Sequence, residues 1–172
     1  WLDPPAPRAG EVQVKIRAAA LGFPDLLMTH GGYQHKPELP FTPGTEMAGE
    51  VTAVGENVTD FKIGDPVVGG ALGGGLAEMG VFPTATLRAI PKSMTFATAA
   101  ATGSAYLTAY VSLVCRGHVQ PGEWVLVHGA AGGVGLAAVD LAKHLGARVI
   151  AVASTAEKRH AIEAHYAPDV VL

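Results

Sequence analysis

Apolar and polar positions alternate along "EVQVKIRA": Val12, Val14 and Ile16 fall between Gln13, Lys15 and Arg17. That period of two predicts a strand with one buried face. "EMAGEVTAVG" and "DPVVGG" are further strand candidates. Turn residues punctuate the same region at Pro43-Gly44, Gly55-Glu56-Asn57, Gly64-Asp65-Pro66 and Gly73 to Gly75. Short strands at regular spacing suggest a barrel-like β unit. The triple glycine reads as a flexible hairpin tip rather than a phosphate loop, because no long helix follows it.

From Thr95 the pattern changes. "TFATAAATGSAYLTAYVSLVCR" is rich in Ala and Leu and predicts a helix with Thr95 as its N-cap. "HVQPGEWVLVHG" follows as a turn and a strand, then helix, strand and helix, ending on "PDVVL" as the start of a third strand. Strands alternating with helices imply a parallel sheet. The expected division is residues 1–94, a connecting helical region at 95–120, and an α/β part at 121–172.

The chemistry concentrates after the strand Trp124 to His128. The turn Gly129-Ala130-Ala131-Gly132-Gly133-Val134-Gly135 has the form A-x-G-x-x-G when counted from Ala130. In such a turn Ala130 makes the bend. Gly132 lacks a Cβ and admits a pyrophosphate, and Gly135 lets helix and strand pack closely. The free N–H groups at the start of the helix favour an anion. Val134, Ala138, Leu141 and Leu145 form the expected apolar face of that helix. The order strand, glycine turn, helix, strand is what makes this a dinucleotide site rather than a chance match.

The end of the next strand bears on which dinucleotide. "ARVIAVASTAEKR" places Ala153 where an acid would bind a ribose 2′-hydroxyl. Ser154 and Thr155 are potential donors, and Lys158 and Arg159 potential counter-charges for a 2′-phosphate. NADPH is therefore the expected cofactor. The competing reading makes Lys158 and Arg159 solvated helix residues.

Composition narrows the class. Of 172 residues 49% are hydrophobic and 16% charged, with a net charge of −3, which suits a globular chain with a sizeable core. No basic field offers itself to nucleic acid or a membrane surface. The longest apolar stretch, Val125 to Ala142, is interrupted by His128, glycines and Asp140, unlike a membrane span. The single cysteine, Cys115, excludes an internal disulfide and a multi-cysteine zinc lobe, and a cytoplasmic setting is expected. It lies among apolar residues and is expected in the core. His128 is expected to pack beside the glycine turn. Asp25 and Glu46 are expected to hold loops through backbone hydrogen bonds. The seven histidines show no metal-binding spacing, so no metal site is expected.

Three segments together carry a family resemblance: "PRAGEVQVKIRAAALGFPDLLMTHGGYQHKPELPFTPGTEMAGEVTAVGENVTDFKIGDPVVG", "AYLTAY" and "VLVHGAAGGVGLAAVDLAKHLGARVIA". The chain resembles the medium-chain dehydrogenase/reductase superfamily in its zinc-free quinone oxidoreductase (zeta-crystallin-like) branch. The resemblance implies an α/β protein: a GroES-like β-barrel domain followed by the first half of a Rossmann doubly wound sheet. It implies hydride transfer from NADPH to quinones or other activated acceptors. Such a transfer asks mainly for orientation, and water can supply the proton. By the same resemblance Thr108 would lie near the nicotinamide and Tyr33 in the substrate pocket. Otherwise Thr108 is a plain helix residue and Tyr33 a half-buried barrel tyrosine.

Where zinc-dependent members carry ligands, this chain has Gly22, Thr45 and Ser104. The quinone reductase branch usually has Asn at the position of Gly22, and Leu27 stands at another pocket tyrosine position, so a more apolar pocket is implied. Family members run well beyond residue 172, and the start reads as clipped. A fragment is therefore expected, forming a homodimer when full length. Two other functions compete with quinone reduction: enoyl-thioester reduction within the same superfamily, and NADPH binding without turnover.

Overall fold

Strand β1, Glu11–Ala20, follows the alternation. Val12 and Val14 are fully buried, while Lys15 and Arg17 are exposed. In the computed structural model, which describes residues 6–172, β1 pairs antiparallel with β2, Glu46–Val54. Register shifts between Gln13 and Val14 and between Ile16 and Ala18 interrupt that ladder, and such irregularities increase strand twist. Strands β3 (Pro66–Gly69), β4 (Met79–Pro83) and β5 (Leu87–Ala89) complete an antiparallel sheet of order β4-β1-β2-β3-β5. Val12, Val14, Met47, Val51, Val67, Phe82 and Leu87 close over one another as its core. The clipped start expected from the sequence concerns Trp1 to Pro5, which lie outside the described residues.

Two features of this part depart from the sequence reading. A short helix α1, Phe23–Thr29, follows β1, with Pro in its first turn and Asp25 as its N3 residue. The triple glycine is not a hairpin tip. It connects β3 to β4, which are not neighbours in the sheet. The N–H groups of Gly74, Gly75 and Leu76 donate to the carbonyls of Thr42, Gly44 and Pro43 at 2.7, 2.9 and 2.9 Å. Backbone pairing with residues 42–44 is what seats it.

Helix α2 runs Phe96–Tyr110. Thr95 caps it as expected, its Oγ1 accepting the Thr98 N–H at 3.1 Å. A π-helical turn, Val111–Arg116, continues it. Leu113 is the buried residue of that turn, so Cys115, two positions on, is turned outward and exposed rather than in the core. The chain divides into two compact units at Gly103/Ser104.

The second unit contains β6 (Trp124–His128), α3 (Gly133–His144), β7 (Arg148–Val152), α4 (Ala156–Tyr166) and β8 (Val170–Val171). Its sheet is parallel throughout, in the order β6-β7-β8. Val149 and Ala151 of β7 are fully buried, as are Val139 and Ala142 of α3. Ala138, Leu141 and Leu145 pack against this core as expected. Val134 does not: it sits in the first turn of α3, beside the glycine turn, and is 46% exposed. His128, at the end of β6, is also exposed rather than packed.

Asp169 fixes the start of β8. Its carboxylate accepts from the Val149 N–H at 2.7 Å and from Lys143 Nζ at 3.0 Å, while its own N–H donates to the Val149 carbonyl at 3.0 Å. The Val149 hydrogen bond, then Lys143 and Arg148, hold its carboxyl below the usual carboxylate range. A depressed folded-state pKa gives stability that is present above the unfolded value, about 4, and is lost as pH falls through the folded value. Asp169→Asn is therefore expected to lower the urea midpoint at pH 7, with the deficit narrowing toward pH 3. A deficit that is the same at both pH values would count against the linkage.

Candidate functional site

Gly129, with φ +64°, turns the chain after β6. Its carbonyl accepts the Gly132 N–H at 3.0 Å and closes the bend. Ala130, expected to make that bend, instead serves as its anchor. It is fully buried, and its N–H donates to the Val152 carbonyl at the end of β7 at 3.0 Å. The bend needs a left-handed residue, which glycine supplies without a steric cost.

Gly132 is the N-cap of α3, and the first helical bond runs from Leu136 N to Gly132 O at 2.8 Å. The N–H groups of Gly133, Val134 and Gly135 precede that bond and have no acceptor among the described residues. A Cβ built at Gly133 meets nothing within 4 Å, and one at Gly132 meets only the Gly129 carbonyl, at 3.5 Å. At Gly135 it would lie 2.4 Å from the Gly129 carbonyl oxygen and 2.8 Å from Ala130 Cα. Thus Gly135 is required by close packing, as expected, whereas Gly132 and Gly133 leave open space above free donors. That space is a cradle a side chain would fill, and its donors suit an anion.

A cleft of about 140 Å³ opens beside this turn, lined by Gly129, Ala131, Gly132, Ala153, Ser154 and Lys158. Complete small-molecule sites are roughly 300–1,000 Å³, so this cleft would take one end of a dinucleotide. Ser154 and Lys158 are exposed, and no carboxylate is among the lining residues.

The remaining candidates from the strand end are committed elsewhere. The Thr155 hydroxyl caps α4, accepting the Lys158 N–H at 3.3 Å. Arg159 Nη1 donates to the Ala153 carbonyl at 3.0 Å, and the residue is half-buried rather than solvated. Gly129 belongs to the lining although the motif, counted from Ala130, omitted it. The signal was the glycine immediately before.

Tyr33 lies half-buried in the loop after α1, in the first unit. Thr108 lies exposed on α2, in the second, its carbonyl accepting from Ser112 Oγ at 2.8 Å. Gly22 and Thr45, two positions matched to family zinc ligands, are drawn together by Asp25. That carboxylate is 3% exposed. It accepts from the N–H groups of Gly22, Gly44 and Thr45 at 2.8, 3.2 and 2.9 Å, and from Thr45 Oγ1 at 3.3 Å. Its loop-holding role is the one expected. Among the described residues, no cluster of three or more His, Cys, Asp or Glu could hold a metal ion, and no helix is long and apolar enough to cross a membrane.

One pairing had no sequence signal. Tyr106 of α2 donates to Asp140 of α3 at 2.6 Å. The hydrogen bond to Asp140, then burial and the negative charge, push the phenol up to about 12. It therefore stays protonated at neutral pH and joins the two helices within the second unit.

Residues 8–92 match the alcohol dehydrogenase GroES-like domain. The chain is 49% identical over 150 residues to a quinone oxidoreductase-like protein 2 homolog of Nematostella vectensis, covering 86% of this chain and 41% of that protein. It is 44% identical over 160 residues to the human synaptic vesicle membrane protein VAT-1 homolog, covering 93% and 41%. The crystal structure of Escherichia coli quinone oxidoreductase complexed with NADPH superimposes with a TM-score of 0.88 at 36% identity, covering 98% of this chain and 52% of that one. The chain thus spans about half the length, or less, of these proteins. It belongs to the medium-chain dehydrogenase/reductase superfamily, with an α/β fold that has a GroES-like domain and a parallel sheet flanked by helices. Within that superfamily it falls in the quinone oxidoreductase branch.

Proposed function

We propose that this chain binds NADPH through its second unit and serves a reductase of quinones or similarly activated acceptors. The observation that supports the reading is one cleft in which the glycine turn meets Ser154 and Lys158 with no carboxylate in its lining. The N–H groups of Gly133, Val134 and Gly135 would hold the pyrophosphate. Lys158 and Ser154 would hold a 2′-phosphate through charge-assisted hydrogen bonds. The reduced nicotinamide, when bound, supplies the hydride. Thr108 would orient the nicotinamide and Tyr33 the acceptor, both by family resemblance. Zinc has no part in this reading. The remaining proposals are a homodimeric assembly, a cytoplasmic location, and no nucleic-acid or membrane partner.

Lys158→Ala tests the cofactor half. One charge-assisted phosphate contact contributes about 1–3 kcal/mol, so NADPH binding should weaken roughly 10- to 100-fold by titration calorimetry while NADH binding stays level. Equal losses for both nucleotides would remove Lys158 from the phosphate site. For the reaction half, NADPH oxidation is followed with a naphthoquinone and with a short enoyl-CoA. Faster turnover with the quinone is expected. Preference for the thioester would favour enoyl reduction, and no acceleration by either would leave a nucleotide-binding protein without turnover.

A further inference from the structure

We propose that Arg159 sets nucleotide choice by occupying the Ala153 carbonyl, which denies that oxygen to a ribose hydroxyl. The proposal rests on the NADPH reading and adds to it a residue that acts from outside the cleft. Ala153 lines the cleft at the end of β7, and its N–H is already engaged by the Leu172 carbonyl at 2.9 Å. Its own carbonyl stands at the strand end, where the sequence has Ala153 in place of an acid. A free carbonyl at a strand end accepts a hydroxyl proton and repels phosphate oxygens. Here Arg159 Nη1 lies 3.0 Å from it, reaching back from the first turn of α4.

Arg159 makes no ion pair among the described residues, so its positive charge is not cancelled there. The arrangement turns a local acceptor into a cationic corner. Because the peptide is planar and trans, holding the Ala153 oxygen also aims the Ser154 N–H to the opposite side. That N–H has no acceptor among the described residues. Arg159 itself is absent from the cleft lining, which makes it a positioning residue. Lys158, in contrast, reaches the cleft directly.

The experiment is Arg159→Met, which keeps the apolar stem, in the full chain, with NADPH and NADH dissociation constants measured by calorimetry without turnover. NADPH should weaken about tenfold, and NADH should tighten roughly twofold as the carbonyl becomes available to its 2′-hydroxyl. Arg159→Lys, which restores a charged donor, should recover most of the NADPH preference, and it serves as the readout if the methionine variant does not fold. Equal weakening of both nucleotides would reduce Arg159 to a loop support. Weaker NADPH with unchanged NADH would make it a direct phosphate contact. No change in either would leave it idle. Each of these three results overturns the proposal. A wild-type chain without preference for NADPH would instead fail the cofactor reading, and tighter NADH in Arg159→Met would still uphold the carbonyl effect.

Discussion

Gly135→Val is expected to unfold the second unit. The new Cβ would stand 2.4 Å from the Gly129 carbonyl oxygen and 2.8–2.9 Å from Ala130 Cα and carbonyl carbon. These are backbone atoms, and they have nowhere to go. Ala130 is fully buried and bonded to Val152 at the end of β7. Either α3 lifts from the turn or the turn leaves the sheet. Overpacking costs typically about 1–3 kcal/mol even where side chains can adjust, and a clash with a pinned backbone belongs at or above the top of that range. Hydrogen exchange should show β6 and β7 amides losing protection while β1 and β2 amides keep theirs. Undiminished protection in β7 would mean the turn yields more readily than its packing implies.

Gly132→Val should have the opposite profile: an intact fold and no nucleotide. Gly132 has φ −82° and ψ 164°, a conformation open to branched residues. Its built Cβ makes only an ordinary contact, 3.5 Å from the Gly129 carbonyl. The added branch fills the space in front of the free N–H groups of α3. NADPH and NADH share the pyrophosphate, so both should weaken, on the order of 100-fold or more on this reading. Thermal unfolding should stay close to wild type. Wild-type affinity in this variant would show that the turn is structural only.

These two glycines also show what the chain disclosed in advance. Spacing alone marked Gly135 as a glycine needed for packing, because the motif has a fixed geometry, while Gly132 stands over open space. The alternation around Val12 and Val14, the Thr95 cap and the parallel order of the second unit were likewise legible, being local patterns. What escaped was set by residues far apart. The triple glycine took its place from residues 42–44, some thirty positions back in the chain. Tyr106 found Asp140 across 34 positions. Cys115 has apolar neighbours in sequence and His128 ends a strand beside the glycine turn, yet both are exposed, because burial depends on which way a side chain leaves its element. Helix α1 escaped for a related reason: Phe23 and Leu26 are exposed, so it has no clean apolar stripe to read. The tie from Arg159 to Ala153 needs α4 to fold back against the end of β7, and no motif records it.

The register of β6 against β7 sets Trp124 opposite Arg148, whose guanidinium carbon lies 4.2 Å from the indole centroid. A cation over the ring perturbs its excited state, and separating the two strands removes that perturbation. The chain has two tryptophans, and the other is Trp1. With Trp1 replaced by phenylalanine, indole emission becomes an optical record of the parallel sheet alone. The GroES-like domain would then be followed separately, through its amide exchange.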